Sequence, residues 1–132
     1  MNYLLIPNGV QISTMVKTKL ETFESIEGIA LSAVVFVQDY LQFQFDSATV
    51  TINIFPTVKI GETSYFSGDA EYRNQLCSLI GEVVQAVYDE DDSFLTIKMI
   101  NNSQITISRE LNVMNLPELV VFESQKGAIV VW

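Results

Sequence analysis

Leu41-Gln42-Phe43-Gln44-Phe45 and Thr49-Val50-Thr51-Ile52-Asn53-Ile54 are the stretches that decide the fold. Each alternates apolar and polar residues, the two-residue period of a strand with one buried face. Asp46-Ser47-Ala48 reads as the turn that makes them a hairpin. Ile29 to Val37, apolar and β-branched, reads as a well-buried strand before them, with Gln38-Asp39 as its turn. The three predict an antiparallel meander. Pro56, with no amide hydrogen to give to a ladder, stops it.

The pattern then returns. Phe23-x-Ser25-Ile26-x-Gly28, Ala33-Val34, Leu41-x-Phe43-x-Phe45 and Val50-Thr51-Ile52 form the first copy. Beginning 53 residues later, Leu76-x-Ser78-Leu79-x-Gly81, Ala86-Val87, Leu95-x-Ile97-x-Met99 and Ile105-Thr106-Ile107 form the second. One residue inserted in each of two turns keeps the copies in register. The expected fold is therefore α+β and mainly β: a helix-plus-antiparallel-β-meander unit, duplicated over about 23–55 and 76–108, in one domain spanning 1–132. The copies are expected to form one sheet system or two facing sheets, with the helices outside or at the ends.

The flanking elements follow from turn and cap signals. Tyr3 to Ile6 reads as a first strand, ended by Pro7-Asn8-Gly9. Ser13 to Ser25 reads as a helix capped by Ser13 or Thr14, with Met15, Val16, Leu20, Phe23 and Ile26 on one face and Gly28 at its end. Thr57 to Gly68 reads as a connection with a short strand at Val58 to Ile60. Asp69 is placed as the cap of a second helix, Glu71 in its first turn, and Tyr72, Leu76, Leu79 and Ile80 on its apolar face. Val83 to Tyr88, Leu95 to Ile100 and Gln104 to Ser108 make the second meander, turning at Asp89-Glu90-Asp91-Asp92-Ser93 and at Asn101-Asn102-Ser103. Leu111 to Leu116 reads as irregular. Leu119 to Phe122 and Ala128 to Trp132 close the sheet around Gln125-Lys126-Gly127, with Trp132 packed into it.

Composition bounds the function. With 132 residues, 48% of them apolar, the chain can bury a core without covalent staples. Its single cysteine, Cys77, excludes an intramolecular disulfide and reads as a buried structural residue within the second helix. MNYLLIPNGVQ has no basic region ahead of its apolar run and does not read as a signal peptide. No apolar run approaches the roughly 18 residues of a membrane span. A soluble cytoplasmic protein is expected. Sixteen acidic residues against seven basic ones give a net charge of −9. Such a surface repels nucleic acid and anionic membrane, so a macromolecular partner is expected to be basic. The plain alternative is that the charge serves solubility.

Catalytic patterns fail one by one. The chain has no histidine, which removes Ser-His-Asp and Cys-His arrangements and histidine-containing metal sites. The glycines are scattered, so no phosphate-binding loop is present. An EF-hand loop starting at Asp89 has acids at its first and third positions. It then places Phe94 where glycine belongs and Ile100 where the closing glutamate belongs. Nothing positions a second carboxyl group for glycoside hydrolysis. The expectation is a non-enzyme with no cofactor and no metal. Asp89 to Asp92 then reads either as a contact patch for a basic partner or as a solvated hairpin tip whose charge prevents aggregation. Gln42, Gln44, Thr49, Thr51 and Asn53 form a polar but uncharged strand face, suited to pairing with another protein or to lying under the second meander.

Leu79-Ile80-Gly81, Val83 and Val87, followed by Leu95, Ile97 and Met99, with Pro117-Glu118 and the downstream Trp132, carry a resemblance. Over roughly residues 76–132 the chain resembles the immunity proteins of contact-dependent growth-inhibition and related polymorphic toxin systems. Asn101-Asn102-Ser103 departs from the Asp-Gly or Asn-Gly more usual at that turn. The resemblance implies a cytoplasmic inhibitor that binds a cognate toxin domain, and it carries over no catalytic residue. Joined to the acidity, it predicts a basic nuclease toxin as partner. The expected binding residues are Asp89, Glu90, Asp91, Asp92, Glu62, Asp69 and Glu71, with Tyr65, Phe66 or Tyr88 as aromatic anchor. The alternatives are a self-associating structural or adaptor domain, with a homodimer as its simplest form, and a small-ligand site between the meanders.

Overall fold

The computed structural model describes residues 2–3, 15–16, 18–90, 93–109 and 118–132. Two short strands, β1 (Asn2–Tyr3) and β2 (Met15–Val16), pair antiparallel. The first helix, α1 (Lys19–Phe23), is therefore shorter than its apolar spacing predicts. Thr18, not Ser13 or Thr14, caps it: Thr18 Oγ1 accepts from the Glu21 amide at 3.1 Å. Met15 and Val16 lie in a strand rather than on the helical face. A 3-10 turn, Glu24–Ile26, prolongs α1, and Gly28 follows with φ of +83°.

One sheet holds β3 (Leu31–Phe36), β4 (Leu41–Phe45) and β5 (Ala48–Ile52) as a meander. The other holds β8 (Val84–Glu90), β9 (Phe94–Met99) and β10 (Gln104–Ser108) in the same plan. Each first strand carries an irregularity at its start, between Leu31 and Ala33 and between Val84 and Ala86. Both sheets are completed by a hairpin. β6 (Thr57–Ile60) and β7 (Thr63–Tyr65) follow the first meander in sequence, yet β6 pairs with β10. β11 (Val120–Ser124) and β12 (Ile129–Val131) follow the second meander, yet β11 pairs with β5. The sheet orders are β12-β11-β5-β4-β3 and β7-β6-β10-β9-β8, so each meander lends its hairpin to the other's sheet.

The two sheets are also stitched where β3 and β8 begin. Gly28 N donates to Val84 O at 2.8 Å and Gly81 N to Leu31 O at 2.7 Å. Leu31 N donates to Glu82 O at 2.9 Å and Val84 N to Ile29 O at 3.0 Å. Ala30 and Val83 form the bridge at the centre of these bonds. A shift of 53 residues exchanges each bond with its mate, which places a local two-fold axis between Ala30 and Val83.

Alternate residues of both sheets feed one contiguous core that includes Phe23, Phe43, Val50, Ile97, Ile105 and Phe122. The alternation Leu41-Phe43-Phe45 against Gln42-Gln44 holds as read, with the first set buried and the second half-buried. β3 is an edge strand and only half-buried beyond Leu31, where full burial is expected from its composition. Each helix touches one strand of each sheet. α1 packs against β8 and β12, while α2 (Tyr72–Cys77) packs against β3 and β6. Trp132 packs its ring on Phe23, with centroids 5.4 Å apart.

Further corrections fall in the second half. Asp69 does not cap α2; the cap position is Glu71, and its side chain makes no capping bond. Tyr72, Leu76 and Leu79 are buried, whereas Ile80 is exposed. Cys77 is exposed as well, because α2 is short and Leu76 takes the inward position beside it. β8 continues through Asp89 and Glu90, which belong to a strand rather than a turn. The connection after Pro56 is a full hairpin turning at Gly61, with φ of +60°. The reading of Leu111 to Leu116 lies outside the described residues, as does most of the proposed first strand.

Candidate functional site

The expected binding residues separate into two groups at opposite edges of one sheet. Tyr88, Asp89 and Glu90 lie on β8, while Glu62, Tyr65, Phe66, Asp69 and Glu71 belong to the β6–β7 hairpin and the loop that follows it. Four strand spacings separate these edges, about 19 Å. Asp91 and Asp92 lie outside the described residues.

At the β8 edge, the strand period turns Asp89 to the same side as Val87 and opposite Leu95, toward the core. A carboxylate there needs partners. Arg109 supplies a salt bridge, and Trp132 Nε1 donates to the other carboxylate oxygen at 3.4 Å. Asp89 is therefore committed inside the molecule, which corrects its reading as a free acidic tip. Glu90 and Tyr88 are exposed on the outer side of the strand. The Val87 amide, on the free edge of β8, is covered by Glu27, whose Oε2 accepts from it at 3.0 Å.

The other group forms a built lip. Asp69 Oδ2 accepts from the Phe66 amide at 2.8 Å, and the Asp69 amide donates back to Phe66 O at 2.9 Å. This closes the loop Phe66-Ser67-Gly68-Asp69 on itself and presents Phe66 57% exposed. Tyr72, buried at the start of α2, donates its phenol to Pro56 O. Burial pushes that phenol well above its ordinary ionisation range, since the charged form would lie in a desolvated site. The bond ties the segment bearing Phe55, itself 40% exposed, to the helix. Between them opens a cavity of 390 Å³ lined by Phe36, Phe55, Asp69, Tyr72 and Arg73. The Arg73 guanidinium lies over the Phe36 ring, 5.3 Å from its centroid. Glu62 and Glu71 are exposed nearby in sequence, and Tyr65 is half-buried against the core.

Sequence reading missed Phe36, Phe55 and Arg73 as members of this lip, and Arg109 as the partner of Asp89. Phe55 beside Pro56 was the available signal, because an aromatic ahead of a strand-stopping proline leaves the ladder. A second cavity, of 510 Å³, is lined by Thr22, Ser25, Ser47, Ser124, Gln125, Lys126 and Ala128, with no aromatic or acidic group among the described residues that line it. Among the described residues no cluster of three or more cysteine, aspartate or glutamate side chains could hold a metal ion. No helix among the described residues is long and apolar enough to cross a membrane.

The outer face of the first sheet is distinct from both edges. Val35, Gln42, Thr51, Val121 and Val131 form one row across its five strands. Ala33, Gln44, Thr49, Glu123 and Ile129 form the next. Gln42 Nε2 donates to Thr51 Oγ1 at 3.0 Å along the first row. This face points away from the core, so its polar residues do not lie under the second meander.

Comparison with known proteins gives no match: no family model, no curated protein and no solved structure is similar to this chain.

Proposed function

We propose that this chain is a non-enzymatic binding protein of the immunity type, a cytoplasmic inhibitor that seats its acidic lip on a basic toxin domain. One observation carries the reading. Phe66 and Phe55 stand exposed beside Asp69, with the exposed Glu71 two residues further on, on a chain of net charge −9. An apolar anchor with acids around it is the arrangement that meets a basic cleft: the charge speeds encounter and the buried ring supplies affinity. The Asp69–Phe66 hydrogen bonds hold the loop in shape beforehand, which reduces the ordering cost of binding.

The test is co-purification with the protein encoded immediately upstream, followed by titration at low and high salt. Phe66→Ala is expected to weaken the complex by about 2 kcal/mol, roughly thirty-fold. Glu62→Gln with Glu71→Gln should slow association and flatten its dependence on salt. Full-strength binding by all of these variants would move the site elsewhere, and no capture at either salt would end the inhibitor reading.

We further propose that the two halves arose by duplication of one unit of helix, meander and hairpin. Support comes from the matched irregularities at Leu31/Ala33 and Val84/Ala86 and from the exchange of hydrogen bonds about Ala30 and Val83.

A further inference from the structure

We infer that the outer face of the first sheet is the contact surface for a second copy of this chain. This inference is independent of the acidic lip, whose exposed residues Phe55, Phe66 and Asp69 lie outside the strands of this face. The two central rows of the face hold ten positions, of which Glu123 is the one charged residue, with Asp46, held by Ser32, at the end of the face. The rest of the chain is crowded with acids, and the outer face of the second sheet carries Lys59, Lys98 and Glu90. An exposed sheet edge is ordinarily protected by charge. Here protection is missing, and Ile129 on the edge strand β12 is 64% exposed.

The chemistry of the face selects its occupant. A basic partner would bury lysine or arginine with only Glu123 in those rows to meet it. An acidic partner would be repelled by the surrounding surface. Glutamine and threonine each carry a donor and an acceptor, so they can pair with their own kind across a two-fold axis, as an isologous contact requires. Gln42 is already held by Thr51, so part of the ordering cost is met before contact. Two copies that each carry −9 repel one another wherever charge is dense and approach most easily through the face that lacks it. Five strands at about 4.8 Å spacing and about five residues in length give roughly 400 Å² of face per copy. That is below the roughly 800 Å² per partner of a standard stable interface, so the dimer forms only at high protein concentration.

Salt distinguishes this contact from the lip. Screening relieves repulsion between like-charged copies, so dimerisation should strengthen as ionic strength rises, whereas binding to a basic partner weakens. The experiment is analytical ultracentrifugation of the whole chain over a concentration series at low and high salt. Reducing buffer is needed because Cys77 is exposed. A monomer–dimer equilibrium shifting toward dimer with concentration and with salt is expected. Gln44→Glu, nearly isosteric, and Thr51→Lys, at the centre of the face, should each return the protein to monomer with an unchanged circular dichroism spectrum. Glu90→Gln on the other sheet should leave the equilibrium where it was. Monomer at every concentration and salt, or a dimer that persists in folded Gln44→Glu and Thr51→Lys, would overturn the inference. The wild-type series decides the first of these even where a variant fails to fold.

Discussion

Asp89 shows how one side chain's direction changes its role. Its carboxylate sits between Arg109 and the Trp132 indole at the margin of the core. Asp89→Asn should therefore destabilise the fold by about 2 kcal/mol in urea unfolding, since the partly buried salt bridge to Arg109 would be lost. Glu90→Gln, one residue on and facing solvent, should shift stability by less than about 0.5 kcal/mol. Equal effects at the two positions would contradict the inward placement of Asp89. Tyr72 makes a second residue-scale prediction. Its folded ionisation lies above the unfolded value near 10, so the neutral phenol contributes stability that is complete below about pH 10 and is lost as pH rises beyond it. Tyr72→Phe should cost about 1 kcal/mol near neutrality through the lost bond to Pro56, and the gap to wild type should narrow above about pH 10. A constant gap across that range would count against the burial. The sequence marks Asp89 as acidic and Cys77 as interior, but it does not show which way either points. The frame of a strand or of a short helix decides that, and a helix the length of α2 buries Leu76 and turns Cys77 out.

At the scale of elements, Gly28 and Gly81 hold equivalent places beside the bridge of Ala30 and Val83, with φ of +83° and +94°. Nothing lies within 4 Å of a Cβ built at either position, so the cost of alanine there is conformational rather than steric crowding. Gly28→Ala and Gly81→Ala should each destabilise by about 1–2 kcal/mol, and by similar amounts, in parallel urea titrations. A cost at only one of them would break the equivalence that the duplication proposal requires. These turns were legible because glycine after an apolar helical face is a local signal. The extent of α1 was not. Met15 and Val16 have helical spacing, yet they pair with Asn2–Tyr3, and a cross-chain ladder outweighs a weak local preference for helix. The hairpin at Thr57–Tyr65 was only half legible, since its second strand, Thr-Ser-Tyr, is too short for a period to register.

Across the whole molecule, the exchange of hairpins makes the sheets mutually dependent. β5 needs β11 from the far end of the chain, and β10 needs β6 from the middle. Unfolding should be a single transition, with Trp132 fluorescence, which reports the contact of the closing strand with Phe23 and with Asp89 of the second sheet, coinciding with far-ultraviolet circular dichroism, which reports both sheets. Two separated transitions would mean that each sheet stands alone. For the same reason the fragments 1–68 and 69–132 should each lack cooperative unfolding when separate. The sequence by itself determined the two meanders, their alternation and their common plan, because strand period and turn residues act over a few neighbours. It determined the acidity and the absence of histidine, and so ruled out sites built on that side chain. Only the tertiary structure decided which meander each hairpin joins. It alone placed Phe66 with Phe55 and Asp69 at one lip and left the Gln/Thr face of the first sheet outward. Those outcomes rest on contacts between residues far apart in the chain, where local preferences are silent and burial of a shared core chooses.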